Sequence, residues 1–357
     1  MTKVHNFSAG PCILPQEVLQ KASEAVKDFN GLNLSLIEIS HRSKDFIDVM
    51  ENARALVKEL LDVPDGYQVL FLQGGASLGF LKAAYNFMPK GGKAAYLNTG
   101  VWAKKAIKEA GIVGDVVEVA SSEDKNYSYI PKNYGIPNDA AYLHFTSNNT
   151  IYGTQFKQFP ISRIPLLCDM SSDIFSKKIK VSDFDLIYAG AQKNMGPAGT
   201  TLYIVKESSL GKTGNKIPTM LDLETHIAKD SMFNTPPVFP IYVSMLTLEW
   251  LKKNGGVSWI EGVNQAKADL IYSEIDRNSL FVGNTEKEDR SNMNATFNLA
   301  NEALQADFDA LWKAANISGI KGHRSAGGYR ASMYNALPLE SVQVLVDVMK
   351  ELENKKG

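Results

Sequence analysis

The sequence predicts an α/β fold, a large unit with a mostly parallel central sheet followed by a smaller α/β unit, and three observations lead there. Short apolar runs recur at 68–72, 94–97, 116–119, 142–145, 166–168, 186–188 and 202–205, several separated by helix-like stretches. Strands buried on both faces of a parallel sheet read as such near-continuous apolar runs. Two long helical patterns, 238–253 and 257–275, meet at Gly255-Gly256, where the left-handed conformation open to glycine stops a helix. Beyond them the alternation resumes in a shorter series, which places the boundary between units at this point.

In chain order, Val18, Leu19, Ala22, Val26 and Phe29 recur at helical spacing behind Pro15, a residue suited to a first turn because its missing N–H costs nothing there. A second helix runs from an N-cap at Ser43 through Phe46, Ile47, Met50, Ala53, Leu56, Val57 and Leu60 to a turn at Pro64-Asp65-Gly66. The strand-like runs then dominate. After 275 come a strand at 295–299, a helix around 308–315, a strand at 329–334 and a last helix behind Pro338. The expected organisation is a large unit over 16–256 and a smaller one from 1–15 with 257–357. At 357 residues the chain exceeds what one hydrophobic core usually sustains.

Composition excludes several classes of function. The 44% hydrophobic and 22% charged fractions are ordinary for a globular protein, and a net charge of -1 gives no global attraction to nucleic acid or anionic membrane. Anion recognition must then be local. Neither a signal-peptide pattern at the start nor an apolar run near membrane-spanning length is present, so a cytosolic protein is expected. Cys12 and Cys168 stand far apart without a CxxC pair, and the five histidines lack HExxH spacing. Neither a disulfide framework nor a metal site is expected.

Three segments carry chemistry. In 188–199 a buried strand runs into small residues and presents one lysine, Lys193, in a glycine-rich turn. A lysine at a strand end in low-dielectric surroundings can lose its proton and act as an amine nucleophile; a solvated loop lysine has the same local composition. In 166–172 an apolar run ends in Asp169, at the position that faces the ligand crevice of an open α/β sheet. Asp173 is the rival acid, and a helix-cap Asp is the plain alternative. In 73–77 Gln73, Gly74, Gly75, Ala76 and Ser77 lie between a strand and a helix. That arrangement suits a phosphate cup of free N–H groups with a hydroxyl, though a tight turn reads alike. It lacks the P-loop lysine and the dinucleotide glycine pattern, so nucleotide motifs are not satisfied.

These three segments in this order resemble the fold-type I, class V aminotransferases, which depend on pyridoxal 5'-phosphate (PLP). Further motifs narrow the resemblance to the phosphoserine aminotransferase family: 7–11, 39–42, 73–77, 98–102, 189–199, 231–237 and 322–332. They span the chain, and the segments 189–199 and 231–237 together are highly specific. The resemblance implies that Lys193 carries the cofactor and that Asp169 pairs with its ring nitrogen. It further implies that Trp102 stacks on the ring, Ala76, Ser77 and Gln192 hold the phosphate, and Thr150 contacts the ring hydroxyl region. Asn234 and Thr235 would reach the cofactor of a neighbouring subunit, which requires a homodimer. His41, Arg42, His323, Arg324 and Arg330 would bind the two anionic ends of each substrate, Arg330 taking the α-carboxylate.

The implied reaction moves the amino group of L-glutamate to 3-phosphohydroxypyruvate in serine biosynthesis. Activity on 4-phosphohydroxythreonine in pyridoxine biosynthesis is left open. The alternatives are another class V reaction, such as the alanine–glyoxylate type, or a non-catalytic PLP-binding protein. Cysteine desulfuration is disfavoured because neither cysteine sits in an evident mobile loop.

Overall fold

The structure is a computed structural model and describes residues 3–356. Strand β1 (His5–Asn6) precedes helices α1 (Gln16–Lys27) and α2 (Lys44–Leu60). Pro15 precedes the first residue of α1 and Ser43 that of α2. Then follow β2 (Tyr67–Leu72), α3 (Gly75–Phe87), β3 (Lys93–Asn98), α4 (Val101–Val113), β4 (Asp115–Ser121), β5 (Leu143–Thr146) and the short pair β6 (Asn148–Asn149) and β7 (Thr154–Gln155). After β8 (Leu166–Asp169) come β9 (Leu186–Gly190), α5 (Ala191–Asn194), β10 (Thr201–Lys206) and α6 (Leu223–Ile227).

Seven strands form the central sheet in the order β2-β10-β9-β8-β5-β3-β4. The pairs β9/β8, β8/β5, β5/β3 and β3/β4 are parallel, while β10 runs antiparallel to both β2 and β9. The predicted, mostly parallel sheet is therefore present. Its apolar runs are buried as expected, except β4, an edge strand that is largely half-buried. The face that α1 buries holds Val18, Ala22 and Ala25; Leu19 and Val26 are exposed, contrary to their place in the predicted apolar face. Five alternative apolar positions within twelve residues allow the stripe to be drawn one residue too far round.

Two long helices, α7 (Val238–Lys253) and α8 (Gly256–Arg277), meet at Gly255, whose φ of 109° is left-handed. Helix α7 packs on α2 and α1 beneath the sheet. The last part of the chain comprises β11 (Phe281–Gly283), β12 (Asn294–Leu299), α9 (Gln305–Ala314), β13 (Ile317–Ser318), β14 (Tyr329–Ser332) and α10 (Leu339–Lys356). Its sheet is antiparallel in the order β11-β12-β14, while β1 pairs with β13.

A separate apolar cluster joins Phe7 to residues between Ala268 and Leu352, including Phe281, Phe297, Phe308 and Tyr329. Helix α8 contributes to two clusters: Val257 and Ile260 pack with the central-sheet core, and Ala268, Ile271 and Ile275 with the second. Among the described residues no helix is long and apolar enough to cross a membrane, and no cluster of three or more His, Cys, Asp or Glu side chains could hold a metal ion.

Candidate active site

The carboxyl ends of the parallel strands gather the chemistry-bearing segments along one edge, the crevice position of an open α/β sheet. Leu72 ends β2 ahead of Gln73–Ser77, Asn98 ends β3 ahead of Trp102, and Thr146 ends β5 ahead of Thr150. Asp169 is the last residue of β8, and Gly190, at the end of β9, leads directly into the turn of helix that carries Lys193.

Lys193 Nζ donates to Thr150 Oγ1 at 2.8 Å and lies 5.4 Å from the centre of the Trp102 ring. Burial lowers its pKa from 10.5 to about 8; Asp169 pulls the other way, and the Arg330 charge adds to the lowering. An amine with that pKa is free in about one molecule in ten at neutrality, far more than an ordinary lysine.

Asp169 is 4% exposed. Its Oδ1 accepts from the Ser171 N–H at 2.9 Å and the Ser171 hydroxyl at 2.6 Å, while neither bond engages Oδ2. The Ser171 oxygen in turn accepts from the Gly190 N–H at 3.0 Å, tying the ends of β8 and β9. Burial raises the Asp169 pKa, opposed first by the charge of Lys193. The rival acid differs. Asp173 accepts from the Ser147 hydroxyl on Oδ1 and from Gln155 Nε2 at 3.1 Å on Oδ2, so both oxygens are engaged by protein.

Helix α3 begins without a side-chain cap and without an acid in its first turn. Its first N–H groups have no intrahelical acceptor, and the helix dipole favours an anion there. Gly74 is required at this turn: its φ is 109°, and a Cβ would meet the Leu78 side chain at 2.4 Å. Gln73 Nε2 donates to the Thr235 carbonyl at 2.7 Å, so the 231–237 segment lies beside the cup of its own chain. Trp102 Nε1 and Asn234 Oδ1 are buried with no hydrogen-bond partner. Gln192 lies in the same turn as Lys193, half-buried.

Arg330, on β14, reaches the same place: its Nη1 donates to the Thr150 carbonyl at 3.4 Å, and its Nε is buried without a partner. His323 and Arg324 sit in the loop before β14, where Gly322 and Gly328 pair their backbones. Gly328 must be glycine, since a Cβ would lie 1.9 Å from Asn298 Oδ1. His323 Nδ1 accepts the Ser325 N–H at 3.2 Å, leaving Nε2 to carry the ring proton. Burial lowers the His323 pKa, and the charges of Arg330, Arg324 and Lys105 lower it further, so a neutral imidazole faces three cationic groups. Among the described residues no salt bridge engages Arg42, Arg324 or Arg330. His41 and Arg42 lie on the segment before α2, and among the described residues no hydrogen bond or salt bridge joins their side chains to the Lys193 cluster.

Of the residues that the resemblance implies, the fold brings Lys193, Asp169, Thr150, Trp102 and Arg330 together. Cys12, to which the sequence assigns neither a disulfide nor a metal, holds the turn that carries Lys193. Its N–H donates to the Gln192 carbonyl at 3.1 Å and its Sγ to the Lys193 carbonyl at 2.5 Å. Burial pushes the Cys12 thiol up to about 12, so it remains protonated and donating. No motif signals that contact, which spans 181 residues of chain.

A family model described as aminotransferase class-V matches residues 4–345. The chain belongs to the class-V aminotransferases. It is 68% identical over 354 residues to a phosphoserine aminotransferase of Flavobacterium psychrophilum, covering 99% of each chain. Among solved structures of class-V aminotransferases, it matches the phosphoserine aminotransferase of Bacillus circulans subsp. alkalophilus at TM-score 0.96 and 44% identity, covering 99% of both chains. It also matches the PLP-bound phosphoserine aminotransferase of Trichomonas vaginalis at TM-score 0.92 and 34% identity, covering 98% of this chain and 100% of the other.

Proposed function

We propose that this class-V aminotransferase binds pyridoxal 5'-phosphate at Lys193 and transfers the amino group of L-glutamate to 3-phosphohydroxypyruvate, giving O-phospho-L-serine and 2-oxoglutarate. The observation that carries the substrate assignment is the Arg330 guanidinium beside the Lys193 amine, with Arg324 and Lys105 gathered around the neighbouring His323 and no salt bridge to Arg330 or Arg324 among the described residues. Each proposed substrate has an anion at both ends, and guanidinium forks suit carboxylate and phosphate. The names of the full-length relatives agree with that chemistry.

The residues also fit the cofactor. The uncapped start of α3, with the Ala76 and Ser77 N–H groups and the Ser77 hydroxyl, suits its phosphate, with Gln192 as a further donor. The unengaged Oδ2 of Asp169 suits a protonated ring nitrogen, and the Trp102 face beside Lys193 suits a flat ring. Bound pyridoxal phosphate supplies an electron sink for the carbanion left when the substrate Cα loses its proton. Asp169 holds the proton of the ring nitrogen in place. The Lys193 amine would take the proton from the substrate Cα as general base and, once protonated, would serve as the general acid that completes the exchange. Arg330 fixes the α-carboxylate, while Arg324 and His323, with His41 and Arg42, take the distal anion. The same sequence of residues acts in reverse for the second substrate, a two-half-reaction scheme.

In this reading residues 16–256 form the cofactor-binding unit, and 1–15 with 257–357 the smaller unit that supplies His323, Arg324 and Arg330. The active form is a cytosolic homodimer. Two residues support the shared site: Asn234 Oδ1 is buried yet unpartnered, and Arg42 lies apart from the cluster within its own chain.

Steady-state assay of the purified protein with glutamate and a panel of keto acids tests the reading. Phosphohydroxypyruvate should exceed pyruvate and glyoxylate in kcat/KM by at least about 100-fold, the scale of one or two charge-assisted contacts. Equal use of glyoxylate would overturn the substrate assignment.

A further inference from the structure

Helix α5 is only four residues long, too short to hold Lys193 rigidly through its own hydrogen bonds. The last of those residues, Asn194, is 6% exposed and makes two side-chain bonds. Its Oδ1 accepts the Asn335 N–H at 2.8 Å, and its Nδ2 donates to the Ile174 carbonyl at 2.5 Å. Asn335 belongs to the 333–337 crossing that follows β14, the strand of Arg330.

That crossing is itself clamped. Lys267, on α8 and fully buried, donates to the carbonyls of Met333, Tyr334 and Leu337 at 2.9, 2.9 and 3.1 Å. Three acceptors match the three N–H bonds of an ammonium. Asn264, one turn earlier, donates to Asn335 Oδ1 at 2.9 Å and to the Ser176 carbonyl at 3.2 Å. Asn335 Nδ2 donates to the Phe175 carbonyl at 2.9 Å. A continuous buried network thus runs from α8, through the crossing behind Arg330, to the residue after Lys193.

We propose that Asn194 is a positioning residue for the Lys193 amine, held in register by the 333–337 crossing that Lys267 clamps. The inference rests on the reading of Lys193 as the cofactor lysine. Without Asn194 the last turn of the short helix loses both its side-chain ties, leaving the Cys12 contacts and the Ala191 N–H bond to the Thr200 carbonyl at 3.1 Å, and the amine gains freedom toward the open crevice. A better-solvated amine loses less on protonation, so its pKa rises.

The test compares wild type, Asn194→Ala, Asn194→Asp and Lys267→Met as PLP-loaded proteins. The readings are the pH midpoint of the visible absorbance band, kcat and KM for glutamate, and thermal unfolding. Asn194→Ala should move the midpoint up by about one pH unit and lower kcat about tenfold or more, with KM within about threefold. Asn194→Asp keeps an acceptor for the Asn335 N–H and should recover part of the loss in kcat, while its added negative charge keeps the midpoint raised. Lys267→Met should shift the midpoint in the same direction, and it decides the matter if the Asn194 variants fail to fold. Variants that fall in melting temperature but keep the wild-type midpoint and kcat would reduce the network to a structural role and overturn the proposal. A wild type without a visible band would instead overturn the assignment of Lys193.

Discussion

Lys193 and Lys267 are both lysines pressed into low-dielectric surroundings, with pKa values lowered by burial to about 8 and about 7 respectively. Their partners differ. Lys267 has three carbonyls for its three N–H bonds. Lys193 has one hydroxyl partner, Thr150, and lies among Asp169, Asp173 and Arg330, beside an aromatic face. A buried amine whose donors are all engaged holds backbone in place. One with donors to spare beside opposed charges is available for chemistry. Lys82 lies between the two: it is 1% exposed, donates to the Met220 carbonyl and contacts His226 Nε2 at 3.3 Å, and it stands outside the Lys193 cluster.

The largest effect expected from this contrast is on turnover. Lys193→Ala should lower the transamination rate by about 1,000-fold or more while leaving the fold intact, as steady-state assay and circular dichroism would show. Lys82→Met, by contrast, should cost stability and spare chemistry. A Lys193→Ala protein with more than a trace of activity would erase the distinction between the two kinds of lysine.

The acids offer the next test. Asp169→Asn should lower kcat by about 100-fold, because a neutral amide cannot hold the ring-nitrogen charge. Asp173→Asn should chiefly lower the melting temperature, since both its oxygens are engaged by Ser147 and Gln155. Reversed outcomes would move the ring partner to Asp173. Arg330→Ala should raise KM for both substrates by about 10- to 100-fold, the value of one charge-assisted pair, with a smaller change in kcat.

The mildest effect is on pH. Below about 8 the Lys193 amine holds its proton and above it the amine is free, so cofactor-free protein should take up PLP faster as pH rises, levelling off above about 8. Stopped-flow absorbance would show this. A rate flat across pH 6–9 would mean an amine already deprotonated by its surroundings.

Some of this was legible from residues alone. The bounds of α7 follow from an apolar pattern ended by Gly255, and the strand-end place of Asp169 follows from an apolar run that stops at it, whereas Lys193, expected in a turn at a strand end, sits in the short helix α5 that follows β9. The direction of β10 was not legible, because a strand buried on both faces reads the same either way. Nor was the second row of contacts around the site. Lys267 looks like a surface charge on a helical pattern, and Asn335 like a turn residue before Pro338. Their roles arise from a crossing that joins residues more than 60 positions apart. Local spacing carries no signal for such pairs.

The central claim is that Lys193, with its neighbouring cations, runs both halves of one amino-group exchange. Absorbance spectra of the PLP-loaded protein, titrated first with glutamate and then with 3-phosphohydroxypyruvate, test it most directly. A visible band that glutamate removes and phosphohydroxypyruvate restores, and that is absent from Lys193→Ala, is the predicted result. A band that glutamate removes but phosphohydroxypyruvate cannot restore, or one that persists unchanged in Lys193→Ala, would contradict the account.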